Sequence, residues 1–147
     1  MEFLETILFQ KTGMVDLIIR DSEEMGEYEG FTDPKGQFII LREDVYENAW
    51  NGNGRDRFTV AHELGHFFLH TGMPMARASS GDETKPYRLS EPQANQFAAE
   101  LLMPRTFMGI FDTPQSVATR HGVSIDAARR RLSFMDSKWI KRKGPDM

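Results

Sequence analysis

The chain has 147 residues, no cysteine and a formal net charge of −4. That length can bury a core without cross-links, and the lack of thiols excludes a disulfide scaffold and any thiolate metal ligand. No run reaches the roughly 20 apolar residues of a membrane span, and the opening MEFLETILFQK is acidic where a secretion signal is basic, so a soluble cytoplasmic protein is expected.

Residues 3–10 predict a short helix ending near Gly13. Residues 14–20 (MVDLIIR) are rich in branched aliphatics and predict a strand, while the acidic stretch 21–26 reads as loop. Two more strands, 28–32 and 37–41, flank Asp33-Pro34-Lys35-Gly36. There Pro presets the corner and Gly is free to take positive φ, so the pair forms a hairpin that the first strand joins in a small twisted sheet. Were 37–41 the edge beside a functional site, it could take up an extended peptide as an added strand; otherwise it is a structural strand. Residues 44–50 predict a short helix closed by Asn51-Gly52-Asn53-Gly54.

The next helix, about 55–71 with Gly72 as terminator, contains TVAHELGHFFLH. Within it, His62-Glu63-Leu64-Gly65-His66 is an HExxH element. Residues four apart on a helix have Cβ atoms about 5–6 Å apart on one face, so His62 and His66 can turn both imidazoles to one Zn²⁺. Glu63 is offset by about 100°, beside the metal rather than on it, where it can act as general base on a zinc-activated water. Phe58, Val60, Ala61, Leu64, Phe67, Phe68 and Leu69 make the helix apolar almost all round, which predicts burial. Buried ionisable groups need partners, and a metal would supply one. His70, one turn past His66, reads as a hydrogen-bonded structural histidine or as a donor to the site.

A third protein ligand is still missing. A histidine ten residues beyond the first, in the pattern HExxHxxGxxH, is ruled out because Leu69 and Gly72 occupy the required Gly and His positions. A carboxylate from a second helix remains, and SEPQANQFAAELLMP (90–104) supplies it. Ser90 and Gln93 fit a capping box and Pro92 fits a first turn, so this helix is expected to begin at Glu91. Glu91, Asn95, Ala98 and Leu102 share a face with small Ala94, a surface suited to close helix packing. Glu100 lies about 180° away, beside Gln93 and Gln96 on the expected solvent face. Glu91 is therefore the expected ligand, and Asn95 is placed either to bond the far nitrogen of a ligand histidine or to face solvent. The connection 72–89 should border the cleft, with Tyr87 and Arg88 either oxyanion donors or plain loop residues.

Beyond Met103-Pro104, residues 113–120 and 124–134 predict two helices around His121-Gly122-Val123. Their spacing suits a helix-turn-helix, and Arg129-Arg130-Arg131 could contact phosphates. A single such unit on an acidic body would bind DNA weakly, so direct DNA binding is the less favoured role. From Gln115 onward there are eight Lys or Arg against three Asp, and the end of the chain reads as a basic tail. The expected organisation is one domain over 1–135 and a tail over 136–147.

The run VYENAWNGNGRDRFTVAHELGHFFLH, then EPQANQFAAELLMP, then SVATRHGVSIDAARRRL resembles the ImmA/IrrE family of zinc metallo-endopeptidases over about residues 37–132. The resemblance implies a gluzincin-like site with His62, His66 and Glu91 on zinc and Glu63 catalytic. It also implies a bacterial or phage regulatory protease acting on a helix-turn-helix repressor of XRE type. The expected fold is α+β and zincin-like: a small twisted sheet on the HExxH helix, with a helical C-terminal part. The competing reading is a non-catalytic zinc-containing anti-repressor or toxin–antitoxin component that works by binding its partner.

Overall fold

The computed structural model describes residues 1, 15–71 and 86–136. The expected helix at 3–10, most of the connection before Glu91 and the basic tail fall outside them. The described chain runs β1 (Asp16–Arg20), α1 (Ser22–Met25), β2 (Gly30–Thr32), β3 (Phe38–Arg42), α2 (Glu43–Trp50), α3 (Gly54–His70), α4 (Pro86–Leu102), α5 (Pro114–His121) and α6 (Ile125–Asp136), with a 3-10 turn at Arg105–Phe107. The fold is α+β and mostly helical. No helix among the described residues is long and apolar enough to cross a membrane.

The three strands form one mixed sheet in the order β1-β3-β2. The hairpin forms as its turn residues require: Asp33 accepts through its carboxylate from the amides of Lys35 and Gln37 at 3.2 and 3.1 Å, and Gly36 takes φ +74°. β2 then pairs antiparallel with β3, and β1 pairs parallel on β3's other side. β3 is therefore central, so of the two readings of 37–41 it is the structural strand and not the edge. Its Ile39 and Leu41 are buried by α3 and α2 in a core with Val15, Val45, Val60, Leu64 and Phe67, and a strand paired on both sides has no free amides to offer a peptide. β2 is the outer strand on the side of α3. The segment after Asp21 is also more ordered than expected, because the Asp21 side chain caps the amide of Glu24 and starts α1.

α3 begins where the Asn-Gly repeat ends, with the Asn53 side chain accepting from the amide of Asp56 at 3.1 Å. It is less enclosed than its composition predicts: Phe68 and Leu69 are 47% and 48% exposed. α4 starts at Pro86, not Glu91. Pro86 suits a first helical position as well as Pro92 does, so Ser90 lies buried inside the helix and Pro92 costs one intrahelical bond.

α5 and α6 enclose a second core of Met103, Met108, Val117, Val123, Ala128 and Met135. Arg131 belongs to it: its side chain is buried and its Nε donates to the Met103 carbonyl at 3.1 Å, satisfying an acceptor left over at the end of α4. Arg129 pairs with Asp126 at 2.8 Å. The three arginines are thus not the uniform phosphate-contacting face their sequence suggests.

The entry to α5 is tied by Asp112. It takes bonds from Arg120 at 2.8 and 3.0 Å, from the Gly109 amide at 2.7 Å and from Ser116 Oγ at 2.9 Å, and Arg120 foremost holds its carboxyl well below the usual carboxylate range. A folded-state pKa below the unfolded one stabilises above the unfolded value, about 3.9, and that contribution is lost as pH falls through the folded value. Asp112→Ala should cost about 1–2 kcal/mol near neutrality, a few degrees in Tm. Thermal melts at several pH values should show the gap to the unsubstituted protein closing below about pH 4.

Candidate metal centre

Close approach of α3 and α4 builds the site. Ala94 and Ala98 are fully buried, and a Cβ on Gly65 would lie 3.0 Å from Ala94 Cα and 3.1 Å from its carbonyl oxygen. With no side chain between the two backbones, short polar groups on α4 reach the α3 histidines.

His62 and His66 turn their rings together, with Nε2 atoms 3.0 Å apart. Glu91 reaches both, Oε2 lying 3.1 Å from His62 Nε2 and Oε1 2.9 Å from His66 Nε2. The outer ring nitrogens are engaged as well: His62 Nδ1 is 2.8 Å from Asn95 Oδ1, and His66 Nδ1 is 3.0 Å from His70 Nδ1. An amide oxygen only accepts, so His62 donates from Nδ1, and in the neutral ring this leaves a lone pair at Nε2 facing its neighbours. One lone-pair nitrogen, a second ring nitrogen and a carboxylate within 4.8 Å of one another form a group that could hold a metal ion, since a cation relieves the repulsion among such donors. Burial first, then the nearby His62 ring, lowers the affinity of His66 for a proton.

Glu63 meets β2, at Thr32 and Gly30. It is 8% exposed, and Thr32 Oγ1 donates to its Oε2 at 2.6 Å. Burial pushes its carboxyl above the ordinary range, opposed by the Thr32 bond and by His62. Gly30 of β2 makes room: a Cβ there would meet Glu63 Cγ at 2.8 Å. Gly30→Val should displace the Glu63 side chain while leaving His62, His66 and Glu91 in place, so any metal those three hold should be retained by elemental analysis.

Two open clefts meet at Gly30 and Glu63. One, of about 230 Å³, includes Thr32, His66, His70 and Glu91 in its walls; the other, of about 420 Å³, includes Glu29, Arg55, Phe58, His62 and Asn95. β2 borders both.

The structure brings His62, His66, Glu91 and Glu63 into one site, and puts Asn95 against His62. Glu100 stays out of it, exposed and accepting from Gln96 Nε2 at 3.0 Å. Gln93 is exposed, as expected of the solvent face, and its Oε1 also meets His70 Nε2 at 2.8 Å, because the α3–α4 contact is close enough for a long amide to cross. The side chains of residues 87 and 88 lie outside the described residues. Thr32 has no sequence signal: a lone threonine in a strand looks the same whether or not it faces a carboxylate.

A model of the M78 peptidase family, described as the IrrE N-terminal-like domain, matches residues 9–133. No curated protein matches the chain.

Proposed function

The chain belongs to the M78 peptidases, the ImmA/IrrE-like family that its two active-site helices resemble, and from that premise we propose that it is a zinc-dependent endopeptidase. Its metal ligands are His62, His66 and Glu91, and its general base is Glu63. The observation that carries this is the convergence of those three ligand residues, with an ionisable glutamate held beside them but outside the ligand group.

The donor set suits zinc. Two imidazoles and one carboxylate are a familiar catalytic set that leaves a fourth position open. At Zn–N and Zn–O distances of about 2.0–2.1 Å, tetrahedral ligand atoms lie about 3.3 Å apart, close to the 2.9–3.1 Å found here. When bound, zinc would supply Lewis acidity and a water of lowered pKa. The chain's own residues account for the proton. Thr32 occupies Oε2 of Glu63 and fixes the side chain, which leaves Oε1 to take a proton from the attacking water and return it to the leaving amine. Burial raises the proton affinity of Glu63, which favours that uptake. β2, as the outer strand, orients an extended substrate by accepting it as a fourth strand.

The substrate we propose is a helix-turn-helix repressor of XRE type, following the family resemblance, with the protein acting in the cytoplasm in the regulation of a phage or mobile element. Cleavage of a denatured-protein peptide library, read by mass spectrometry, tests the chemistry apart from the substrate. A chelator should abolish cleavage and added zinc restore it; cleavage that survives metal removal would contradict the proposal.

A further inference from the structure

His70 is not a ligand in the proposed site, yet it is 6% exposed and one of its ring nitrogens meets a ligand histidine. Its two contacts are directional. Gln93 Oε1, 2.8 Å from His70 Nε2, can only accept, so His70 carries its hydrogen on Nε2 and presents a lone pair at Nδ1. His70 Nδ1 and His66 Nδ1 are at hydrogen-bonding distance, 3.0 Å, and because His70 Nδ1 offers the lone pair, the hydrogen of that bond is carried by His66, whose Nε2 in the neutral ring is left as a lone pair facing Glu91 and His62.

We propose that Gln93 and His70 form a relay that locks His66 in its Nδ1–H tautomer and holds its ring toward the metal, making both positioning residues for metal binding. This rests on the reading of His62, His66 and Glu91 as a metal site. His62 receives the same constraint in one step, from Asn95. His66 needs two, because its Nδ1 faces along its own helix toward residue 70, and Gln93 on α4 sets the direction from the far end.

The relay predicts different results for closely matched substitutions. His70→Phe fills the space but accepts no hydrogen bond. His70→Asn keeps an acceptor near the position of Nδ1. Gln93→Leu releases the His70 tautomer, whereas Gln93→Glu keeps an obligate acceptor. Ring-nitrogen NMR of the metal-free protein, at a pH above the imidazole pKa of about 6.5, should show His66 as the Nδ1–H tautomer in the unsubstituted chain, in His70→Asn and in Gln93→Glu. It should show a shift toward Nε2–H in His70→Phe and a tautomer mixture in Gln93→Leu. Zinc affinity, measured by competition with a chelating dye, should fall about 10–100-fold in His70→Phe and recover largely in His70→Asn. An unchanged His66 tautomer, with zinc affinity within about twofold in both His70→Phe and Gln93→Leu, would overturn the relay. Failure of the unsubstituted protein to take up zinc would overturn the metal reading instead, while the metal-free tautomers would still decide the relay.

Discussion

Glu63→Gln should reduce peptide hydrolysis by about 10²–10⁴-fold, equivalent to about 3–5.5 kcal/mol of transition-state stabilisation, and should leave zinc content unchanged. The loss falls on kcat, because the amide has the shape of the carboxylate and can still bond Thr32 but cannot take a proton. Metal uptake survives because Glu63 is not among the three converging ligand residues. Stability of the metal-free protein should change in a direction that its pKa fixes. Burial raises the folded pKa of Glu63, so the carboxyl favours folding least once ionised, and the unsubstituted protein loses stability relative to Glu63→Gln as pH rises from the unfolded glutamate value of about 4.3 through the higher folded one. Chemical denaturation of both proteins across that range checks the sign, and steady-state kinetics with elemental analysis checks the rest.

Glu91→Ala should weaken zinc binding by more than the 10–100-fold typical of losing a hydrogen-bond partner to a ligand. Its carboxylate spans both imidazoles, one oxygen to each, at 2.9 and 3.1 Å. The side chain is 61% exposed, so the fold should tolerate the change to within about 0.5 kcal/mol, and the effect will read as metal affinity rather than unfolding. Glu100→Ala, on the other face of α4, should leave affinity unchanged. Equal effects of the two substitutions in a chelator competition would remove Glu91 from the ligand set.

The site was legible wherever it depended on spacing along one helix. His62 and His66 are one turn apart, and Glu91 and Asn95 are one turn apart on a face made narrow by Ala94 and Ala98, so each pair can be read without knowing how the helices meet. The hairpin at Asp33-Pro34-Lys35-Gly36 was equally local. What could not be read depends on pairings between distant segments. Which strand is the edge is settled by β1 choosing the free side of β3, and no single strand records that choice. Thr32 reaches Glu63 across 31 residues of sequence. The contact of exposed Gln93 with His70 could not be read because helical phase alone does not say how near the partner helix comes; Gly65 makes that distance short. Arg131 looked like part of a basic face because a carbonyl at the end of α4, its actual partner, is invisible in a count of charges. The start of α4 was misplaced at Glu91 because Pro86 is as acceptable in a first turn as Pro92, and the capping-box pattern at Ser90 gave no sign of the earlier start.

The most direct test is to incubate the zinc-loaded protein with the proposed substrate, a helix-turn-helix repressor of XRE type, in parallel with the metal-stripped protein and Glu63→Gln, and to read products by intact mass. Discrete fragments from the zinc-loaded protein alone are the predicted result, and their masses locate the scissile bond. A repressor that stays intact yet co-elutes with both the unsubstituted protein and Glu63→Gln would contradict proteolysis and show that the protein acts by holding its partner.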